Sequence, residues 1–336
     1  MRAAYRLLLA GGLLAIASAC QTPTGAPSNL PAGVNFVSAV EQDPNAEVSL
    51  PLRKFTLDNG LTVVLHEDRS DPLVHVDVTY HVGSGREEAG KSGFAHFFEH
   101  MMFRGTEKYP RYFDTIYGLG GKLNAFTWLD ETVYWENLPS EHLETMIAME
   151  ADRLEHMKVD FLSLEPEREV VKSERRLRTD DRAEGLAWEV LQSRVFREHP
   201  YHWGTIGWMT DLNAITLEEA QAYHQAHYAP NNTTIIIVGD HEPAQTLAWL
   251  NQYYGHMSAR SLPPEPTIIE PKQESPRIRN SATASPRRPS SRRSSTRGGG
   301  SRGEGPHLPS CRRRGSIGCA WKTAERGSSW RKGSWR

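Results

Sequence analysis

Hydrophobic and polar residues follow two periods along the chain, one of two residues and one near 3.6. Phe55-Thr56-Leu57 and Leu61-Thr62-Val63-Val64-Leu65 flank Asn59-Gly60. Both turn residues tolerate positive φ, so the pattern predicts a hairpin closed by a type I′ turn. Val74, Val76, Val78 and Tyr80 place a third strand over about 73–82, and Gly83, Gly85 and Gly90 end it. Two short strands are expected at about 122–128 and 132–138, and a β-branched one at about 234–238.

The helical period takes over between these strands. Ser92 as N-cap and Gly105 as stop frame a helix over about 93–104. Its text, Phe94-Ala95-His96-Phe97-Phe98-Glu99-His100-Met101-Met102-Phe103, is apolar almost all round. Such a helix is buried, and its polar side chains then need partners. Leu143, Met146, Ile147, Ala151 and Leu154 form the inner stripe of a second helix that Ser140 caps. A third is expected over about 165–179, with Pro166 in its first turn, and a fourth over about 185–198. Thr216 and Glu219 make a capping box for a helix ending near Tyr228. A last helix covers about 244–254.

Charge divides the chain. The formal net charge is -2, yet residues 275–336 hold 16 Lys+Arg against 2 Asp+Glu. The preceding 274 residues are correspondingly acidic, and segments of such opposite character do not share one folding unit. The basic stretch also holds 13 Ser and 9 Gly without periodicity, a composition that cannot bury a core. A Pro-rich linker at about 261–271 precedes it. At the other end, Arg2 and Arg6 lead an apolar run from Leu7 to Ile16, too short to span a bilayer, with small residues before Cys20. Residues 1–20 therefore read as an export signal of lipoprotein type, with lipid attached at Cys20 and Gln21 directing the product to the outer membrane. Residues 21–50 read as a flexible tether, 51–260 as the folded domain and 261–336 as linker and disordered tail. Cys311 and Cys319 are the only other cysteines, so a metal in the folded domain must be held by His and carboxylates.

His96-x-x-Glu99-His100 supplies such a set. Residues four apart on a helix lie one turn apart on one face, so both imidazoles reach a single ion. Glu99 sits beside them, badly placed to ligate the same ion but able to take a proton from its water. A zinc ion with three protein ligands keeps a water and lowers its pKa to about 7, which suits hydrolysis of a peptide carbonyl. The bland alternative, a solvated helix with surface histidines, conflicts with the aromatic and Met residues around them. Among Glu165, Glu167, Glu169 and Glu174 on the later charged helix, the local pattern alone singles out no third ligand.

The reversed zinc motif resembles that of the inverzincins. In full, residues 52–257 resemble the pitrilysin family, which includes insulin-degrading enzyme and the mitochondrial processing peptidase. Glu167-Arg168-Glu169-Val170-Val171-Lys172-Ser173-Glu174 matches the family's segment for its third ligand, with 73 residues between His100 and Glu174. The resemblance implies Glu174 as that ligand, Glu167 as the glutamate that orients a ligand, and one Zn2+ per chain. It also implies an α+β fold, a mostly antiparallel sheet packed against helices. Leu123-Asn124-Ala125-Phe126-Thr127 resembles the family's edge strand, which implies Asn124 and Ala125 as contacts to an extended peptide substrate. His224 and His227, three apart on a helix, read as structural, His199 and His202 as surface groups, and Glu150 as the partner of a buried Arg.

Members of this family close over a peptide with a further domain, and the text after Pro271 does not resemble one. A nucleic-acid role for the basic tail is disfavoured, because an exported protein has little access to nucleic acid. The preferred reading is an out-of-frame translation of a GC-rich gene after about Ser275. Two functions follow: a zinc endopeptidase, alone or with a second chain or domain completing the clam, or a non-catalytic half-protease that binds peptide or a partner. Membrane contact is expected only through lipid at Cys20. Resequencing the gene across codon 275 tests the tail: a shifted frame that continues the family's text is expected, and one uninterrupted frame refutes it.

Overall fold

Seven strands form one sheet in the computed structural model, which describes residues 27–274 apart from Ser28, Pro44 and 46–48. The export segment, Cys20 and the basic tail lie outside the described residues. In chain order the strands are β1 (Val34–Val40), β2 (Leu52–Leu57), β3 (Thr62–Glu67), β4 (Leu73–Tyr80), β5 (Lys122–Thr127), β6 (Thr132–Pro139) and β7 (Thr233–Gly239). Their spatial order is β1-β2-β3-β7-β4-β6-β5. Every neighbouring pair is antiparallel except β3 with β7, which is parallel. The α+β class with a mostly antiparallel sheet is thus the architecture found.

The helices are α1 (Phe94–Met101), α2 (Tyr112–Gly118), α3 (Leu143–His156), α4 (Phe161–Arg175), α5 (Ala183–Val195), α6 (Met209–Ala214), α7 (Leu217–His227) and α8 (Pro243–Tyr254). Strand alternation sends Phe55, Leu57, Val63, Leu65, Val76, Val78, Ile235 and Ile237 to one buried face. They join Phe97, Phe98 and Met101 of α1, Ile147 and Leu154 of α3, and Leu247 and Leu250 of α8 in one core. Helix α1 lies at the heart of this layer, packed against α4, β5 and β6.

Four elements depart from expectation. Residues Val34–Val40, inside the segment read as a tether, pair with β2 as an edge strand. Its text, Val34-Asn35-Phe36-Val37-Ser38-Ala39-Val40, is largely apolar, but a bulge between Phe36 and Ser38 breaks the period-two alternation that would have marked a strand. The hairpin turn is not type I′, because Gly60 alone has positive φ, at +87°. Three residues close it, and Asn59 keeps negative φ because its side chain is committed elsewhere. Asn59 Oδ1 accepts from Leu61 N at 3.1 Å, and Nδ2 donates to the Tyr254 and Met257 carbonyls at 2.8 and 3.0 Å. Helix α4 begins at Phe161 rather than near Glu165, which puts Pro166 inside it. A capping box between Asp160 and Ser163 fixes that earlier start. Ser92 does not cap α1; its Oγ donates to Asp211 Oδ2 at 2.7 Å and accepts from Trp208 N at 2.8 Å.

The expected partner of Glu150 is present. Arg153 is fully buried, hydrogen-bonds Glu150, and lies 4.0 Å from Glu136. Tyr112 donates to the same Glu150 carboxylate. Burial and the neighbouring Glu150 push the Glu136 carboxyl far up.

The Asn59 contacts join the hairpin to the end of α8 across nearly two hundred residues. Asn59→Ala leaves two buried carbonyls without their donor and is expected to cost about 1–3 kcal/mol. Urea unfolding measures this, and a midpoint equal to wild type would refute the role.

Candidate metal centre

Helix α1 enters the core from Gly93, whose φ of +93° suits glycine alone. A Cβ there would meet the Ile206 carbonyl at 2.7 Å. No local side chain caps the helix. Instead the buried Glu87 carboxylate accepts from Gly93 N and Ala95 N, both at 2.9 Å, and from Trp203 Nε1 at 2.9 Å. Its two oxygens satisfy two orphan donors of the helix, while burial pushes the carboxyl up to about 8.

His96 and His100 project from α1 toward Glu174 of α4. His100 Nε2 lies 3.1 Å and His96 Nε2 3.7 Å from Glu174 Oε2. One donor atom from each residue falls within 4.8 Å of the others, and no other such group of three occurs among the described residues. Ligands about 2.0–2.2 Å from a tetrahedral zinc stand roughly 3.3–3.6 Å apart. The spacings found bracket that range, and the donor set of two imidazoles and one carboxylate fits zinc.

Neighbouring groups orient these side chains. His100 Nδ1 donates to Glu167 Oε1 at 2.9 Å, which leaves Nε2 bare toward Glu174 once the ring is neutral. Arg104 Nε donates to Glu167 Oε2 at 2.6 Å. Glu167 and Glu174 are seven residues apart, two turns along one face of α4. After α4 the backbone widens into a π-turn, Arg176–Asp180, and Arg178 Nε forms an ion pair with Glu174 Oε1 at 2.9 Å. Only His96 breaks the pattern: its Nδ1 is buried without a protein partner.

The electrostatics follow from these contacts. Burial, with the charge on His100 beside it, pushes His96 down to about 3, so its ring is neutral. For His100 burial acts the same way, but its hydrogen bonds to Glu167 and Glu174 outweigh it and raise the ring to about 9. Burial opposes ionisation of Glu174 too, and the bond to His100 and nearby cationic charge overcome it, bringing the carboxyl to about 2. Glu99 differs: burial raises its pKa, and Thr127 Oγ1, donating to Oε2 at 2.6 Å, works against that rise.

Asn124 and Ala125 lie on β5, the last strand of the sheet, paired on one side to Trp135 and Tyr134 of β6. Asn124 is exposed and Ala125 half-buried. His224 and His227 are buried on α7; His224 stacks on Phe98 and Tyr228, away from any carboxylate cluster. His199 and His202 are half-buried in a loop held by local bonds to Tyr201 N and the Phe196 carbonyl. Sequence reasoning missed Thr127, Arg104, Arg178 and Glu87. Arg104 and Arg178 each stand four residues after a site residue, a spacing that could have marked them. Glu87 left no such trace.

The profile described as Insulinase (Peptidase family M16) matches residues 62–207. A second, described as Peptidase M16 inactive domain, matches residues 214–293, so the resemblance to a further family domain starts inside the folded part and runs past Pro271, where none was expected. The chain belongs to peptidase family M16. The zinc protease PqqE of Helicobacter pylori is 32% identical over 228 residues, which cover 66% of this chain and 51% of that protein. The crystal structure of the periplasmic protease PqqL from Escherichia coli has a TM-score of 0.60 and 27% identity, covering 70% of this chain and 26% of that one. Pitrilysin, at 20% identity and a TM-score of 0.62, shares the fold and covers 71% of this chain and 26% of its own. The M16 chain described here thus spans about half the length of the H. pylori protease.

The protonation pattern has a measurable consequence for metal uptake. Below about 9 the metal-free site holds a proton on His100, while His96 and Glu174 are already in their ligating forms down to about 3 and 2. Zinc uptake between pH 5 and 8 is therefore expected to release about one proton, with affinity falling roughly tenfold per unit of pH decrease. Calorimetry in buffers of different ionisation enthalpy measures this; release of two protons, or none, contradicts the assignment.

Proposed function

We propose that this chain is the metal-bearing part of a zinc endopeptidase that hydrolyses peptide bonds in extended peptides. The convergence of His96, His100 and Glu174 beside the half-buried carboxylate of Glu99 carries this reading. Those three residues would hold the zinc, which supplies Lewis-acid polarisation of the scissile carbonyl and a lowered pKa for water. Glu99 then acts as general base: it accepts the proton of the attacking water and passes it to the leaving amine. Glu167 keeps the Nδ1 hydrogen of His100 in place and so presents Nε2. The open edge of β5 receives the peptide backbone by strand addition, with Asn124 and Ala125 in contact. Such addition reads main chain more than side chains, which suits unfolded or extended substrates.

A second chain or domain would complete the clam around the bound peptide. The shared length supports this, since the curated relative named a zinc protease is about twice as long as the matched region. The same observation favours the other reading, a non-catalytic half that binds zinc and peptide without turnover. The export signal and Cys20 support a periplasmic location with a lipid anchor, consistent with the periplasmic protease PqqL among the similar structures. Residues 51–260, with β1 added in front, would be the zinc domain, and 261–336 linker and tail.

Glu99→Gln separates the two readings. Zinc content is expected to stay at one per chain while hydrolysis of a quenched peptide falls about 10²–10⁴-fold. Full zinc occupancy with no turnover in the wild-type chain would favour the non-catalytic reading instead.

A further inference from the structure

Thr127 ends β5, and strand alternation turns its side chain inward with Leu123, opposite the exposed Asn124 and Phe126. Thr127 is buried, and its Oγ1 donates to Glu99 Oε2 at 2.6 Å. That length is typical of a hydroxyl donating to an ionised carboxylate, a bond about twice as strong as one between neutral groups. A Glu side chain has three rotatable bonds, so a base on α1 needs such a tether to present one oxygen consistently. No other hydrogen bond to the Glu99 carboxylate occurs among the described residues.

We infer that Thr127 is the positioning residue of the base. Its hydroxyl holds Oε2, so Oε1 is the oxygen left to take the proton. It also ties that oxygen to the strand carrying Asn124 and Ala125, so peptide register and base position are set by one element. The inference rests on the reading of Glu99 as general base. In the step itself the water oxygen bonds to the carbonyl carbon and its proton goes to Oε1. That proton then leaves with the amine as the C–N bond breaks, and Thr127 keeps its own proton throughout. A merely structural Thr127 would fill space and satisfy its hydroxyl, with no special link to turnover.

The test compares Thr127→Val, Thr127→Ser and Glu99→Gln in the full zinc-loaded chain. Readouts are kcat and KM on a quenched peptide, zinc content, and the Glu99 carboxylate position in crystals of each zinc form. Thr127→Val keeps shape but loses the donor, and kcat is expected to fall about 10–100-fold while KM and zinc content change by less than about twofold. Thr127→Ser is expected to restore kcat to within about threefold and return the carboxylate to its wild-type position, which Val leaves. A Val variant with wild-type kcat, or with Glu99 unmoved in the crystal, overturns the inference, as does a Ser variant as slow as Val. The crystal comparison decides if the wild-type chain shows no turnover or if one variant is too unstable to assay. Full activity in Glu99→Gln would instead refute the base itself; loss there with wild-type behaviour in Thr127→Val refutes only the role of Thr127.

Discussion

Helix α1 carries two imidazoles and a carboxylate through a layer that is otherwise aromatic and aliphatic. Each of these groups costs about 1–3 kcal/mol if it is desolvated without a partner, and the surroundings are arranged to avoid that cost. Glu167 meets His100, Thr127 meets Glu99, and Glu174 meets both imidazole Nε2 atoms. The partners come from α4 and from β5, so satisfying one helix fixes how three elements approach each other. Glu87 closes the remaining end by capping α1 from outside the helix. A candidate metal centre and a packing constraint are here the same arrangement.

The sequence made α1 legible because its composition is extreme: a helix this apolar has no solvated face on which two histidines and a glutamate could sit, so their spacing points to one ion. Glu174, the proposed third ligand, was legible only through the family pattern. Glu165 and Glu169 pair with Arg168 and Lys172 three residues on, as surface residues do, whereas Glu167 and Glu174 turn inward. That difference arises from the approach of α4 to α1, a contact between segments more than sixty residues apart, which no local window contains. Pro166 misled for a related reason. Proline in a first turn is a sound default, but Asp160 and Ser163 start the helix a turn earlier, and the helix keeps its course past the proline.

Edges were the least legible parts of the fold. Strand β1 is apolar but bulged between Phe36 and Ser38, so it lacks a clean alternation although its backbone completes the sheet. The hairpin of β2 and β3 was placed correctly while its turn was not. Asn59 was read for its backbone tolerance, but the fold uses its side chain, which holds the end of α8. Residues with both a permissive backbone and a capable side chain leave that choice to tertiary contacts.

Two cations outside the donor set account for how the site can hold its shape before metal arrives. Two carboxylates, Glu167 and Glu174, crowd one imidazole pair, and their repulsion would splay α4 from α1 if nothing balanced it. Arg104 binds the far oxygen of the first and Arg178 the far oxygen of the second. With the proton on His100, three cationic groups face the two carboxylates, and both near oxygens still face the imidazoles. Zinc in the proposed site would replace that one proton and would need little rearrangement of the helices. The affinity then depends less on ordering the ligands than on exchanging charge at a site already built, which is the benefit of orienting ligands through a second layer of contacts.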